Sequence, residues 1–105
     1  MNNSNSILKT SHEDIVEQVE RIFERLDASD IIRSKTLHLI QRANEKGLLG
    51  QCTPVGGAAG AIYIACILKK LHITQNVLSK AAGISSFVIR KHYILLARGL
   101  ELKKD

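Results

Sequence analysis

Between Thr53 and Leu71 the chain carries a segment that is apolar almost all round, and its first turns are built from glycine and alanine. Thr53 supplies a capping hydroxyl, and Pro54 suits the first helical position, where its missing N–H costs nothing. A helix without a polar face belongs at the centre of a bundle, since any exposed side would leave apolar surface in water. Gly56, Gly57, Ala58, Ala59, Gly60 and Ala61 keep this helix thin, so neighbouring backbones can approach it closely. A phosphate-cradling loop is the functional alternative for these glycines. Neither GxGxxG nor GxxxxGKS fits, and no lysine stands where such a loop needs one, so packing is the better reading. The apolar run around Ala58 to Leu68, interrupted by Gly60 and Tyr63, is also too short to span a bilayer.

The other elements must wrap around that rod. At 105 residues there is room for one domain. The only aromatics are Phe23, Tyr63, Phe87 and Tyr93, so small and aliphatic side chains fill the core, which suits close-packed helices better than a sheet sandwich. Residues 1–10 are polar, without periodicity, and are expected to form a disordered tail. They show neither a basic n-region nor an apolar h-region, so no secretory signal is visible. Ser11 caps a first helix with acidic residues in its opening turn, and Ile15, Val16, Val19, Ile22, Phe23 and Leu26 follow at helical spacing. The stretch from Asp27 to Asp30 breaks it and caps a second helix with Ile32, Thr36, Leu39, Ile40 and Ala43 inward, ended by Gly47 and Gly50. The third helix runs from Pro54 to about Leu71. No segment reads convincingly as a strand, and residues 103–105 form a short basic tail.

Residues 74–97 have the layout of a helix-turn-helix. Thr74 caps a short helix holding Val77, Leu78, Ala81 and Ala82; Gly83 tolerates the positive φ of a sharp turn; Ile84 plugs the corner. Ser85 then caps a final helix with Ile89, Tyr93, Leu96 and Leu100 on its core face. Outward it presents Ser86, Phe87, Arg90, Lys91 and Ile94, a set suited to the major groove. Serines at a helix N-terminus can contact phosphate, Arg90 can donate two parallel hydrogen bonds to guanine, and Phe87 offers apolar surface to a thymine methyl. The bland alternatives are a peripheral core position for Phe87 and a solvated charge for Arg90. Charge distribution favours a polyanion: residues 51–105 hold eight lysines and arginines against only Glu101 and Asp105, whereas residues 1–50 hold seven against eight acids.

Metal and catalytic chemistry find no support. Cys52 and Cys66 are too few and too far apart for a zinc framework; a disulfide between them is conceivable, but Cys66 fits a small core position in a reducing compartment. His12, His38, His72 and His92 are scattered, with no HExxH, no GxSxG and no cysteine–histidine pairing at a recognisable spacing. His92 is expected at a border or phosphate-facing position and His38 on a helix surface. The reading is a non-enzyme without cofactor, metal or small-molecule substrate.

Two blocks carry a family resemblance. Thr53-Pro54-Val55-Gly56-Gly57-Ala58-Ala59-Gly60-Ala61-Ile62-Tyr63-Ile64-Ala65, then Thr74-Gln75 and Gly83-Ile84-Ser85-Ser86-Phe87-Val88-Ile89-Arg90-Lys91-His92-Tyr93, resemble the second cyclin-like core repeat of archaeal transcription factor B and its eukaryotic counterpart. The likeness covers roughly residues 11–102. It implies an all-α, five-helix cyclin-like domain ending in a helix-turn-helix. It also implies work in transcription initiation, gripping TATA-box-binding protein on bent promoter DNA and reading double-stranded DNA upstream of the TATA box. On that pattern Phe87 and Arg90 fall where a base-contacting valine and arginine lie, with Ser85, Ser86, Lys91, Thr74 and Gln75 alongside as DNA-binding candidates. Phe87 in place of the usual valine implies a base preference that is either changed or lost. The first repeat and the N-terminal zinc ribbon of the family have no counterpart here, as expected of either an excised C-terminal domain or a stand-alone relative. The resemblance places the protein in the archaeal cytoplasm, or in the nucleus if eukaryotic, with no membrane partner. Two rivals stand beside it: a cyclin-like protein–protein adaptor using Glu13, Glu17, Glu20 and Glu24 of the first helix, and a repressor-type helix-turn-helix regulator acting as a dimer.

Overall fold

The computed structural model describes residues 10–102, so the expectations for residues 1–9 and 103–105 lie outside the described residues. Within the described residues five α-helices follow one another: α1 (His12–Arg25), α2 (Asp30–Glu45), α3 (Pro54–Leu68), α4 (Gln75–Ala82) and α5 (Ser86–Gly99), with a single 3₁₀ turn at Leu49–Gln51. Among the described residues there is no strand, and no helix is long and apolar enough to cross a membrane. The all-α expectation is met.

Each helix starts on a side-chain cap that the sequence signals. Ser11 and Asp14 form a reciprocal capping box, while Ser29, Thr53, Thr74 and Ser85 each accept a hydrogen bond from the backbone N–H three residues on. The ends are less regular. Gly47 takes a positive φ of 73° just past α2, whereas Gly50 sits within the 3₁₀ turn rather than ending a helix. Helix α3 stops at Leu68, three residues earlier than its apolar pattern suggests. There the Leu71 N–H reaches back to the Cys66 carbonyl, and Lys70, not a glycine, adopts the left-handed conformation that closes the helix.

Helix α3 lies at the centre and touches all four others. Gly56 through Ile62 and Ile64 through Cys66 are buried on every side of it. Ile15, Val19 and Ile22 of α1, the expected stripe Ile32, Thr36, Leu39, Ile40 and Ala43 of α2, and Leu78, Ile89, Leu96 and Leu100 complete the core. Thr36 turns its hydroxyl to the Ile32 carbonyl at 2.8 Å, so the one polar side chain of that stripe is satisfied. Cys52 and Cys66 are free and buried, and burial pushes both thiols above their ordinary pKa.

Helices α3 and α5 approach each other closely. A Cβ on Gly56 would stand 2.4 Å from the His92 ring, and one on Gly60 would stand 3.0 Å from both His92 Cβ and the Tyr93 backbone nitrogen. His92 is therefore buried, at 5% exposure, and not a border or phosphate-facing residue. Its ring is satisfied at both nitrogens. Nδ1 lies 2.8 Å from the Val88 carbonyl, and Nε2 accepts from the Thr53 N–H at 3.1 Å. This arrangement assigns the Nδ1–H tautomer.

Gly56→Ala pushes a methyl group into a ring that two hydrogen bonds hold in place, and is expected to cost about 1–3 kcal/mol. In a His92→Ala background the same change should cost far less, because the obstruction is gone. Urea unfolding of the two single variants and the double variant measures this coupling. Equal costs in both backgrounds would show that the ring does not fill the glycine notch.

Candidate nucleic-acid interface

The outer surface of α5 follows from what its inner surface must do. Ile89, His92, Leu96 and Leu100 turn into the core, which leaves Phe87, Arg90, Lys91 and Ile94, at i, i+3, i+4 and i+7, on the other side. Phe87 is 74% exposed, the most exposed large apolar side chain among the described residues, and Arg90 and Lys91 are exposed with it. An isolated phenyl ring held in water at the tip of a basic helix offers apolar contact beside two cations.

The turn that sets this helix is held from three directions. Gly83 adopts φ 74°, and its N–H donates to the Ser79 carbonyl at 2.8 Å. The Ser79 hydroxyl donates to the Ile84 carbonyl, while half-buried Ile84 packs against the core as expected. From α1, the Arg25 guanidinium donates to the Ala81 carbonyl at 3.3 Å and ties the end of α4 to the body of the domain. No sequence signal singles out Ser79 or Arg25. Their bonds go to backbone carbonyls of the turn, which no residue pattern marks.

The seven candidate residues divide between two helix starts. Ser85, Ser86, Phe87, Arg90 and Lys91 come together in the first turns of α5. The Ser85 hydroxyl is engaged as the cap, accepting from the Val88 N–H at 3.2 Å, and Ser86 is half-buried. Thr74 and Gln75 open α4. Thr74 is exposed, its oxygen accepting from the Val77 N–H at 3.1 Å. Gln75 is half-buried, with its amide Nε2 3.5 Å from the Tyr63 hydroxyl, and Tyr63 in turn stacks on Tyr93, ring centroids 4.7 Å apart. The Tyr63–Tyr93 pair thus links the start of α4 to α5 through α3.

Electrostatics separate the two ends of the molecule. Among the described residues the ion pairs are Arg21–Glu17 within α1 and Arg33–Glu20 between α2 and α1. Glu17 and Glu20, half of the acidic face proposed for an adaptor, are thereby partly neutralised. Arg90, Lys91 and Arg98 have no carboxylate within ion-pair distance among the described residues. No group of three or more potential metal ligands occurs among those residues either.

Helices wrapped around a thin, largely buried central one define an all-α domain of the cyclin-like class. The family model of the transcription factor TFIIB repeat matches residues 8–99, and the chain belongs to that family. Relatives include transcription initiation factor IIB of Methanothermococcus thermolithotrophicus, 36% identical over 87 residues that make up 83% of this chain and 26% of that protein. The factor IIB of Methanocaldococcus jannaschii is 34% identical over 83% of this chain and 13% of its own length. That of Pyrobaculum arsenaticum is 32% identical over 91% of this chain and 29% of its own. The chain therefore spans less than a third of these relatives.

Since Phe87 lies off the core, Phe87→Ala should leave unfolding free energy within about 0.5 kcal/mol of wild type. Ile89→Ala, two residues on but fully buried, should lose about 2–5 kcal/mol. Chemical denaturation of both variants checks this. A comparable loss for Phe87→Ala would place its ring in the core and remove it from the outer surface.

Proposed function

We propose that this chain is a non-enzymatic, DNA-binding domain of a transcription initiation factor of the TFIIB type. Helices α4 and α5 act as a helix-turn-helix, with the start of α5 in the major groove beside the TATA box and TATA-box-binding protein as the cooperating partner. The observation that carries this reading is the exposed Phe87 beside Arg90 and Lys91, on a helix whose opposite side is locked against α3.

The chemistry follows from those groups. The Arg90 guanidinium is a planar fork that matches the O6 and N7 acceptors of guanine, and the Phe87 ring meets a thymine methyl or base edge. Backbone N–H groups and hydroxyls at Ser85 and Ser86 suit a phosphate oxygen near the helix N-terminus, and Thr74 presents the start of α4 to the flanking strand. Gln75 contributes by its bond to Tyr63, which holds the start of α4 in place. The relatives named above are transcription initiation factors, which supports a role at promoters and no catalysed reaction. They are archaeal, which supports a cytoplasmic setting. The partial pairing of Glu17 and Glu20 favours this reading over an adaptor that docks partners on α1.

A single domain that meets few phosphates should bind DNA weakly, with a salt dependence whose slope counts those few contacts, and more tightly when a second protein shares the duplex. Fluorescence anisotropy on TATA-flanking duplex, with and without TATA-box-binding protein at two salt concentrations, should show a rise in affinity when that protein is added. Arg90→Ala should lower affinity for a preferred site by about 1–3 kcal/mol and relax its sequence preference. Equal binding to every duplex, unchanged by TATA-box-binding protein or by Arg90→Ala, would overturn the reading.

A further inference from the structure

A second surface feature runs alongside α5, past the residues placed at the bases. Between the 3₁₀ turn and the outer side of α5 lies a groove of about 590 Å³, lined by apolar Leu48, Ile94 and Leu95 together with Gln51, Lys91 and Arg98, and by Gly99. Lys46, just past the end of α2, does not line the groove but donates from Nζ to the carbonyl of its lining residue Gly99 at 3.4 Å, which sets a third cation beside it. Among the described residues no carboxylate lines it. Glu45, the neighbour of Lys46, is turned back along α2, where its Oε2 accepts from Gln41 at 3.4 Å. Gly99 keeps the groove deep, since a Cβ there would strike the Leu48 side chain at 2.5 Å.

We infer that this groove is a track for the sugar–phosphate backbone, in which Lys91, Arg98 and Lys46 hold phosphates of one strand and Gln51 supplies a neutral donor. The inference rests on the DNA-binding reading above and deepens it. Lys91 and Arg98 are seven residues apart on one side of the helix, about 10 Å along its axis. That reach corresponds to about three phosphate steps of one strand, which advance about 3.4 Å per nucleotide along the duplex. The three cations come from two separate elements, the end of α2 and the outer side of α5, and converge without an acid between them. Arg90 does not line the groove, so the two adjacent bases of α5 divide their work: Arg90 meets base edges and Lys91 meets the backbone. Phosphate contacts fix register and orientation but carry no sequence information.

The test is the salt dependence of duplex binding by the full chain, compared between wild type, Lys91→Gln and the double variant Lys46→Gln/Arg98→Gln. Each phosphate-holding cation that is neutralised should reduce the slope of log affinity against log salt by about 0.9. The double variant should show about twice that reduction, while the ratio of affinities for a preferred and a scrambled duplex stays at the wild-type value. All these side chains are exposed, so circular dichroism melting should be unchanged. A wild type that binds duplex, with a double variant of identical slope, overturns the phosphate track and leaves the base-reading surface standing. Loss of binding to polyglutamate with an unchanged duplex slope also overturns it, in favour of an acidic polypeptide. A wild type that binds no duplex brings down the underlying reading as well.

Discussion

The imidazole of His92 fills the space that side chains at Gly56 and Gly60 would occupy, and the setting of α5 rests on that contact. Polar groups buried at a helix–helix contact must be paired or they cost more than they return. His92 meets the condition twice, through the Val88 carbonyl on its own helix and the Thr53 N–H at the cap of α3. The second bond also satisfies one backbone donor near the start of α3. One side chain thereby fixes how far α5 can slide or roll against the central helix.

From that constraint the outer surface follows. With His92 inward, Ile89 and Leu96 are carried into the core beside it, and Phe87, Arg90 and Lys91 are carried out. Folding alone would not place a phenyl ring there, since its burial elsewhere would be favourable by about 1.5–3 kcal/mol. The arrangement makes sense for a surface that gains this energy on meeting a partner. The same holds for Arg90, Lys91 and Arg98, whose charges are not balanced by ion pairs among the described residues, whereas Arg21 of α1 and Arg33 of α2 are paired. The Arg25 bond to the Ala81 carbonyl and the Ser79 bond to Ile84 hold the turn so that these groups are presented from a stiff support.

Local chemistry is the most legible part of the sequence. Ser11, Thr53, Thr74 and Ser85 cap the helices their positions imply, because an N-cap is decided by residues within one turn. The buried stripe of α2 is equally plain, since 3.6-residue periodicity survives any tertiary arrangement. What depends on residues far apart is not legible. His92 reads as polar, and its burial depends on two glycines more than thirty positions earlier whose notch exists only once α3 and α5 meet. The apolar pattern carries α3 past its true end because no glycine marks the stop; Lys70 takes the left-handed turn instead. Of the candidate interface, Phe87, Arg90 and Lys91 stand outward as the alternation of α5 implies, while the Gln75 bond to Tyr63 and the groove beside Lys91 exist only in the folded chain.

The most direct measurement is a map of backbone amide shifts on adding a promoter-type duplex to isotope-labelled protein. Shifts concentrated from Ser85 to Lys91, with the buried turns of α3 silent, are the expected result. Shifts concentrated on the acidic outer side of α1, with the start of α5 unmoved, would contradict the central claim.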